Sequence, residues 1–63
     1  MLSENLKRIR EEKGYSKMKL AKITGLSRKT IEFIENRTRN DTKIGTIEKL
    51  AKGLDVSINE LIK

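Results

Sequence analysis

The sequence predicts an all-α fold: five short helices packed around one small core. Three observations lead there. Apolar residues recur at three- and four-residue spacings in five segments, polar capping residues open these segments, and no sustained period-two alternation marks a strand. With 63 residues the chain admits one domain, expected to span 1–63, and it has no Cys and no His. Domains this small usually rely on disulfides or a metal. Here helix packing must suffice, and the absence of Pro, with only four Gly, fits that economy.

Each element has its own justification. Ser3 is placed to cap a first helix running to about Lys13, with Glu4 in its first turn and Leu2, Leu6 and Ile9 on one face. Gly14 stops it. Ser16 opens a second helix in which Leu20, Ala21 and Thr24 face inward, and Gly25 ends it. Ser27 caps a third, Arg28 to about Glu35, with Ile31 and Ile34 on its buried face. Residues 36–43 (NRTRNDTK) have no apolar side chain and read as a surface loop. The fourth helix starts between Thr42 and Thr46 and carries the stripe Ile44, Ile47, Leu50, Ala51 and Leu54. A fifth opens on Ser57-Ile-Asn-Glu60, a capping box, with Val56 placed to staple against Leu61.

The net charge of +6 is unevenly placed. Residues 1–15 carry a net +1, residues 16–43 carry +5 and residues 44–63 are balanced. A concentrated basic stretch is what binding to a polyanion requires. No apolar run approaches the roughly 20 residues of a membrane span, and no signal-peptide core follows Met1. A soluble, cytoplasmic protein is expected. Without Cys or His, zinc fingers, thiol chemistry and imidazole bases are excluded. The serines at segment starts are explained by capping, so neither enzyme activity, nor a metal, nor a cofactor is expected.

The second and third segments form a specific constellation over about residues 16–36. Two helices of about eight residues flank the turn Gly25-Leu26-Ser27. Ala21 is small where the helices cross, Gly25 suits a positive φ, and Leu26 plugs the angle between them. This is a helix-turn-helix pattern. The stretches LKRIREEKGYS, KLAKITGLSRKTIEFIE and IEKLAKGLDVSINELI resemble the phage-repressor type of helix-turn-helix proteins, the family of the lambda and 434 repressors and Cro. The resemblance covers about residues 3–62. It implies a compact five-helix domain that binds duplex DNA, commonly as a dimer on a two-fold symmetric operator. It also implies a partly buried ion pair between Arg10 and Glu35. A prokaryotic regulator, repressor more than activator and nucleoid-associated when bound, is the expected identity.

With Ile31 and Ile34 inward, Arg28, Lys29, Glu32 and Phe33 of the third helix point outward or sideways. N-terminal residues of a recognition helix reach base edges in the major groove. Arg28 and Lys29 suit guanine acceptors, and as cations at the positive end of the helix dipole they lack a complement that DNA would supply. The family pattern sets Phe33 on the DNA-facing side, against a thymine methyl or sugar; the competing reading folds it onto the core edge. Backbone contacts are expected from Ser16, Lys17, Ser27, Thr30, Asn36, Arg37, Arg39 and Lys43, at helix starts and in the loop. Lys17 stands where the family commonly has Gln, and Asn40-Asp41 where it has Asn-Pro, in a loop about one residue longer. Lys19 and Lys22 read as solvated.

Ile58, Leu61 and Ile62 form a possible dimer surface, and a weak homodimer, especially on DNA, is expected. The alternative from another class is a protein-interaction module, such as an antitoxin or anti-repressor, with DNA binding secondary. RNA binding lacks aromatic platforms, since only Tyr15 and Phe33 are present. An amphipathic membrane-surface role conflicts with short, separately capped segments.

Overall fold

In the computed structural model, which describes residues 1–36 and 42–63, the chain forms five α-helices: α1 Leu2–Glu12, α2 Lys17–Thr24, α3 Arg28–Glu35, α4 Ile44–Leu54 and α5 Ile58–Ile62. Among the described residues there is no strand. Helix α1 packs on α3 and α5, and α2 packs on α3 and α4. One core joins them. Leu6, Leu20, Ile31, Leu50, Leu54 and Leu61 are wholly buried, with Leu2, Ile9, Ile34, Ile47 and Ala51 around them. Tyr15, Ala21, Leu26, Val56 and Ile58 pack at its margin, which places Leu26 where the turn needs a plug.

Where a serine precedes the helical stripe the helix starts follow the local chemistry closely, with one exception; α4 starts after Lys43 with no side-chain cap. Ser16, Ser27 and Ser57 each accept a hydrogen bond from the backbone N–H three residues on, and Glu60 closes the box by accepting from Ser57 N–H at 3.2 Å. Gly25 takes φ +78°, and its N–H donates to Ala21 O at 2.9 Å, ending α2. The exception is Ser3. Helix α1 begins two residues earlier, Met1 is its N-cap without a side-chain bond, and Ser3 is buried in the first turn. The reason is a tie between the two ends of the chain. Asn5 Nδ2 donates to the carbonyls of Leu61 (2.8 Å) and Lys63 (3.2 Å), and the Met1 amine donates to Lys63 O. That tie draws Leu2 into the core.

The apolar stripe of α4 also ends sooner than its spacing suggests. Burial is complete at Leu54 and Leu50, nearly so at Ile47, and lost at Ile44, which is 62% exposed. The stripe outruns the surface it packs on. At its other end, α4 stops on Asp55 in the left-handed region (φ 58°), with Val56 N–H donating to Ala51 O and Asp55 N–H to Lys52 O. This is a Schellman closure, made with the short polar residue that tolerates that region best after Gly and Asn.

Gly53 is a contact that spacing did not reveal. A Cβ built there falls 2.6 Å from Thr24 Cγ2 and 3.2 Å from Ile23 Cγ2. Helices α2 and α4 therefore touch through a hydrogen atom, and this close approach sets where α2 lies.

Candidate nucleic-acid interface

The turn Gly25-Leu26-Ser27 fixes the angle between α2 and α3 by a chain of local bonds. Thr24 Oγ1 donates to Leu20 O at 2.8 Å and accepts from Leu26 N–H at 3.2 Å. Ser27 Oγ then accepts from Thr30 N–H at 3.1 Å and lies 2.8 Å from the Thr30 hydroxyl. The hydroxyls of Ser16 and Ser27 are thus engaged as caps. What they present outward is the start of a helix with its free N–H groups.

The orientation of α3 is held from behind by Arg10. Its Nε donates to Glu35 Oε2 at 2.7 Å and its Nη2 to Glu35 Oε1 at 3.2 Å, a two-point pair linking α1 to the last residue of α3. The remaining nitrogen, Nη1, donates to Tyr15 O at 2.8 Å, in the connection leading to α2. The side chains of Arg10 and Glu35 are 9% and 3% exposed. The Glu35 hydrogen bond raises the Arg10 pKa above its ordinary value, outweighing the opposing effect of burial. One guanidinium therefore positions both helices of the motif.

On the outer side, α3 shows Arg28, Lys29 and Phe33, all exposed. Phe33 is 59% exposed. No acidic residue occupies the first turn of α3, so the two cations at the positive end of its dipole have no complement there. Lys17, at the start of α2, reaches across to α3, with Nζ 3.7 Å from Glu32 Oε2. Arg28 approaches the same carboxylate, with Nε 3.8 Å from Oε1. The Arg28–Glu32 contact follows from i,i+4 spacing. The Lys17–Glu32 contact is tertiary and has no sequence signal.

Asn36 is exposed at the C-terminal end of α3, and Lys43 is exposed as the N-cap of α4. Arg37 and Arg39 lie outside the described residues. Thr30 is half-buried, its hydroxyl turned to Ser27. Lys19 and Lys22 are exposed on α2. The apolar surface expected of α5 is smaller than its three residues suggest. Leu61 is wholly buried, Ile58 packs at the core margin, and only Ile62 of the three is exposed. Leu61 belongs to the core because α5 must close the bundle over α1 and α4. Among the described residues no group of three acidic, His or Cys side chains could hold a metal, and no helix is long and apolar enough to cross a membrane.

Two helices set at a glycine turn, with the second locked by a buried ion pair and cationic on its outer face, define a helix-turn-helix domain. Consistent with this geometry, residues 6–61 match the Helix-turn-helix family HTH_3, and the chain belongs to it. It is 34% identical over 62 residues to the HTH-type transcriptional regulator SinR of Bacillus subtilis, covering 98% of this chain and 56% of that protein. It is 37% identical over 62 residues to the control protein C.SmaI of Serratia marcescens, covering 98% of this chain and 73% of that one. The fold superimposes on the crystal structure of SinR in complex with DNA with a TM-score of 0.91, at 33% identity and full coverage of both chains. The chain thus spans about half the length of full SinR.

Proposed function

We propose that this chain is a single sequence-specific DNA-binding domain of a transcriptional regulator, with α3 lying in the major groove of duplex DNA. The observation that carries this reading is the exposed cationic start of α3, Arg28 and Lys29 with no acid in its first turn, and Lys17 of α2 beside it. The likeness to the DNA-bound SinR domain supports it. Arg28 and Lys29 read base edges, with Arg28 able to bind guanine by two parallel bonds, and Phe33 packs on a thymine methyl or sugar. Ser16, Lys17, Ser27, Thr30, Asn36, Arg37, Arg39 and Lys43 hold the two phosphate strands. Repression follows from occupying promoter DNA. The domain acts in the cytoplasm of a prokaryote, as a weak homodimer that forms on its operator, and Ile62 with the margin of Ile58 supplies part of the seam.

Selection of bound duplexes from a random pool tests this reading. A two-fold symmetric site is expected, with half-sites about one helical turn, roughly 34 Å, apart. Arg28→Ala should weaken the selected site by about 1–3 kcal/mol and relax preference at one or two base pairs. A pool with no enrichment would overturn the proposal. Sedimentation on the selected duplex tests the homodimer, and one chain per operator would remove it.

A further inference from the structure

Among the outward residues of α3, Glu32 has no role in the scheme above. It sits one turn after Arg28, outside the buried stripe of Ile31 and Ile34, and its two oxygens face different cations. Oε1 is 3.8 Å from Arg28 Nε and Oε2 is 3.7 Å from Lys17 Nζ. Both separations exceed hydrogen-bonding distance, and the side chains of Glu32, Lys17 and Arg28 are 36%, 37% and 57% exposed. Such loose pairs are weak and exchange readily. A phosphate or a base edge can therefore take either cation.

A carboxylate set among groove-facing cations opposes indiscriminate binding. It subtracts from the positive charge that the phosphates attract, and it meets those phosphates with like charge. In the major groove its suitable partner is the cytosine amino group, which donates with no acceptor beside it on the same base. Adenine's amino group lies next to N7, and guanine and thymine offer oxygen or nitrogen acceptors, all of which repel a carboxylate. We infer that Glu32 is a specificity-determining residue. It keeps Lys17 and Arg28 partly neutralised away from target sites, and at the target it exchanges them for the amino group of a cytosine. This rests on the DNA-binding reading.

The test compares wild type with Glu32→Gln, which keeps the side chain's size and removes its charge. Site selection from a random duplex pool is run beside anisotropy titrations of a fixed random-sequence duplex across salt. The wild type should favour cytosine at one position in each half-site. In E32Q that preference should disappear, binding to the random-sequence duplex should tighten several-fold at low salt, and the log–log salt slope should steepen by about one unit. Glu48→Gln, which neutralises an exposed acid on α4, should leave the site profile unchanged. An E32Q profile that retains the cytosine preference overturns the inference. So does a uniform loss of affinity with an unchanged profile, which is the mark of a merely structural residue. A wild type that enriches a site without any favoured cytosine also overturns it, while leaving DNA binding intact. A wild type that enriches nothing overturns the DNA-binding reading, and this inference with it.

Discussion

The pair Arg10–Glu35 should behave as a single unit in a double-mutant cycle on stability. At the general range of 0.05–0.15 kcal/mol per residue, a 63-residue domain has about 3–9 kcal/mol in all. Removing one partner of a buried, hydrogen-bonded pair costs about 3–5 kcal/mol, because the other charge stays desolvated. Arg10→Met leaves the Glu35 carboxylate, 3% exposed, without its two bonds, and also strands the Tyr15 carbonyl. It should therefore lie near the limit of what the domain survives. Glu35→Leu should cost less, since Arg10 keeps Tyr15 O and lies 4.0 Å from Glu11. The double variant removes both charges and fills the space with apolar atoms, and should recover most of the loss. A coupling of about 2–4 kcal/mol is expected from urea unfolding followed by circular dichroism, with an osmolyte present to keep the single variants folded. Because the pair is buried, the coupling should barely change with salt. A coupling under about 0.5 kcal/mol, the range of independent sites, would refute the reasoning.

Two further substitutions test the packing and the caps. Gly53→Ala would gain up to about 1 kcal/mol in an unconstrained helix, but here its methyl meets Thr24, which cannot turn aside without breaking its bonds to Leu20 O and Leu26 N–H. A net loss of about 1–2 kcal/mol is expected from the overpacking, and a raised melting temperature would contradict the close approach of α2 and α4. Ser57→Ala removes the cap at Glu60 N–H and the hydroxyl's own bond to Glu60 Oε1, and keeps only the backbone N–H bond to that carboxylate. It should cost about 1 kcal/mol, roughly 4–8 °C in Tm for a domain of this size, and a shift below 1 °C would show that the box is idle.

The parts of the fold that were legible in the residues are those governed by short-range chemistry. Ser16, Ser27 and Ser57 cap where a hydroxyl precedes a helical stripe, and Gly25 ends α2 where a turn needs positive φ. Ile31 and Ile34 are inward because their spacing allows nothing else. What was illegible depended on partners far along the chain. Ser3 looked like a cap because the carbonyls of Leu61 and Lys63, which tie down Asn5 and Met1, lie more than 50 residues away. Ile44 fitted the stripe of α4, but spacing cannot say where the opposing surface ends. Leu61 looked available for a partner and is instead part of the core. Gly53 carried no sequence signal, since a glycine inside a helix reads as a weakness until a neighbouring helix is seen against it. At the candidate site, the outward set Arg28, Lys29 and Phe33 could be read from the helical period, whereas Lys17 meeting Glu32 required the angle between α2 and α3.

The ion pair behind α3 also changes how the chain's charge should be counted. Residues 16–43 carry eight basic and three acidic side chains, for +5. One of those acids is Glu35, buried and matched by Arg10, a cation from outside the segment. Without Glu35, the formal count for the segment is eight basic side chains against two acidic ones, or +6. The two acids that remain are Glu32 and Asp41. Of these, Glu32 stands on α3 itself, between Lys17 and Arg28. On the proposed DNA-binding reading, a surface shaped only for affinity would gain from losing it, because each cation it screens attracts DNA less strongly. Its position makes sense for a surface that must reject most sequences, where an interaction that is unfavourable everywhere except at the right base raises the ratio between target and random DNA. The measure of that ratio is the salt dependence and site profile of Glu32→Gln together, and neither alone separates a reader of sequence from a general binder of duplex.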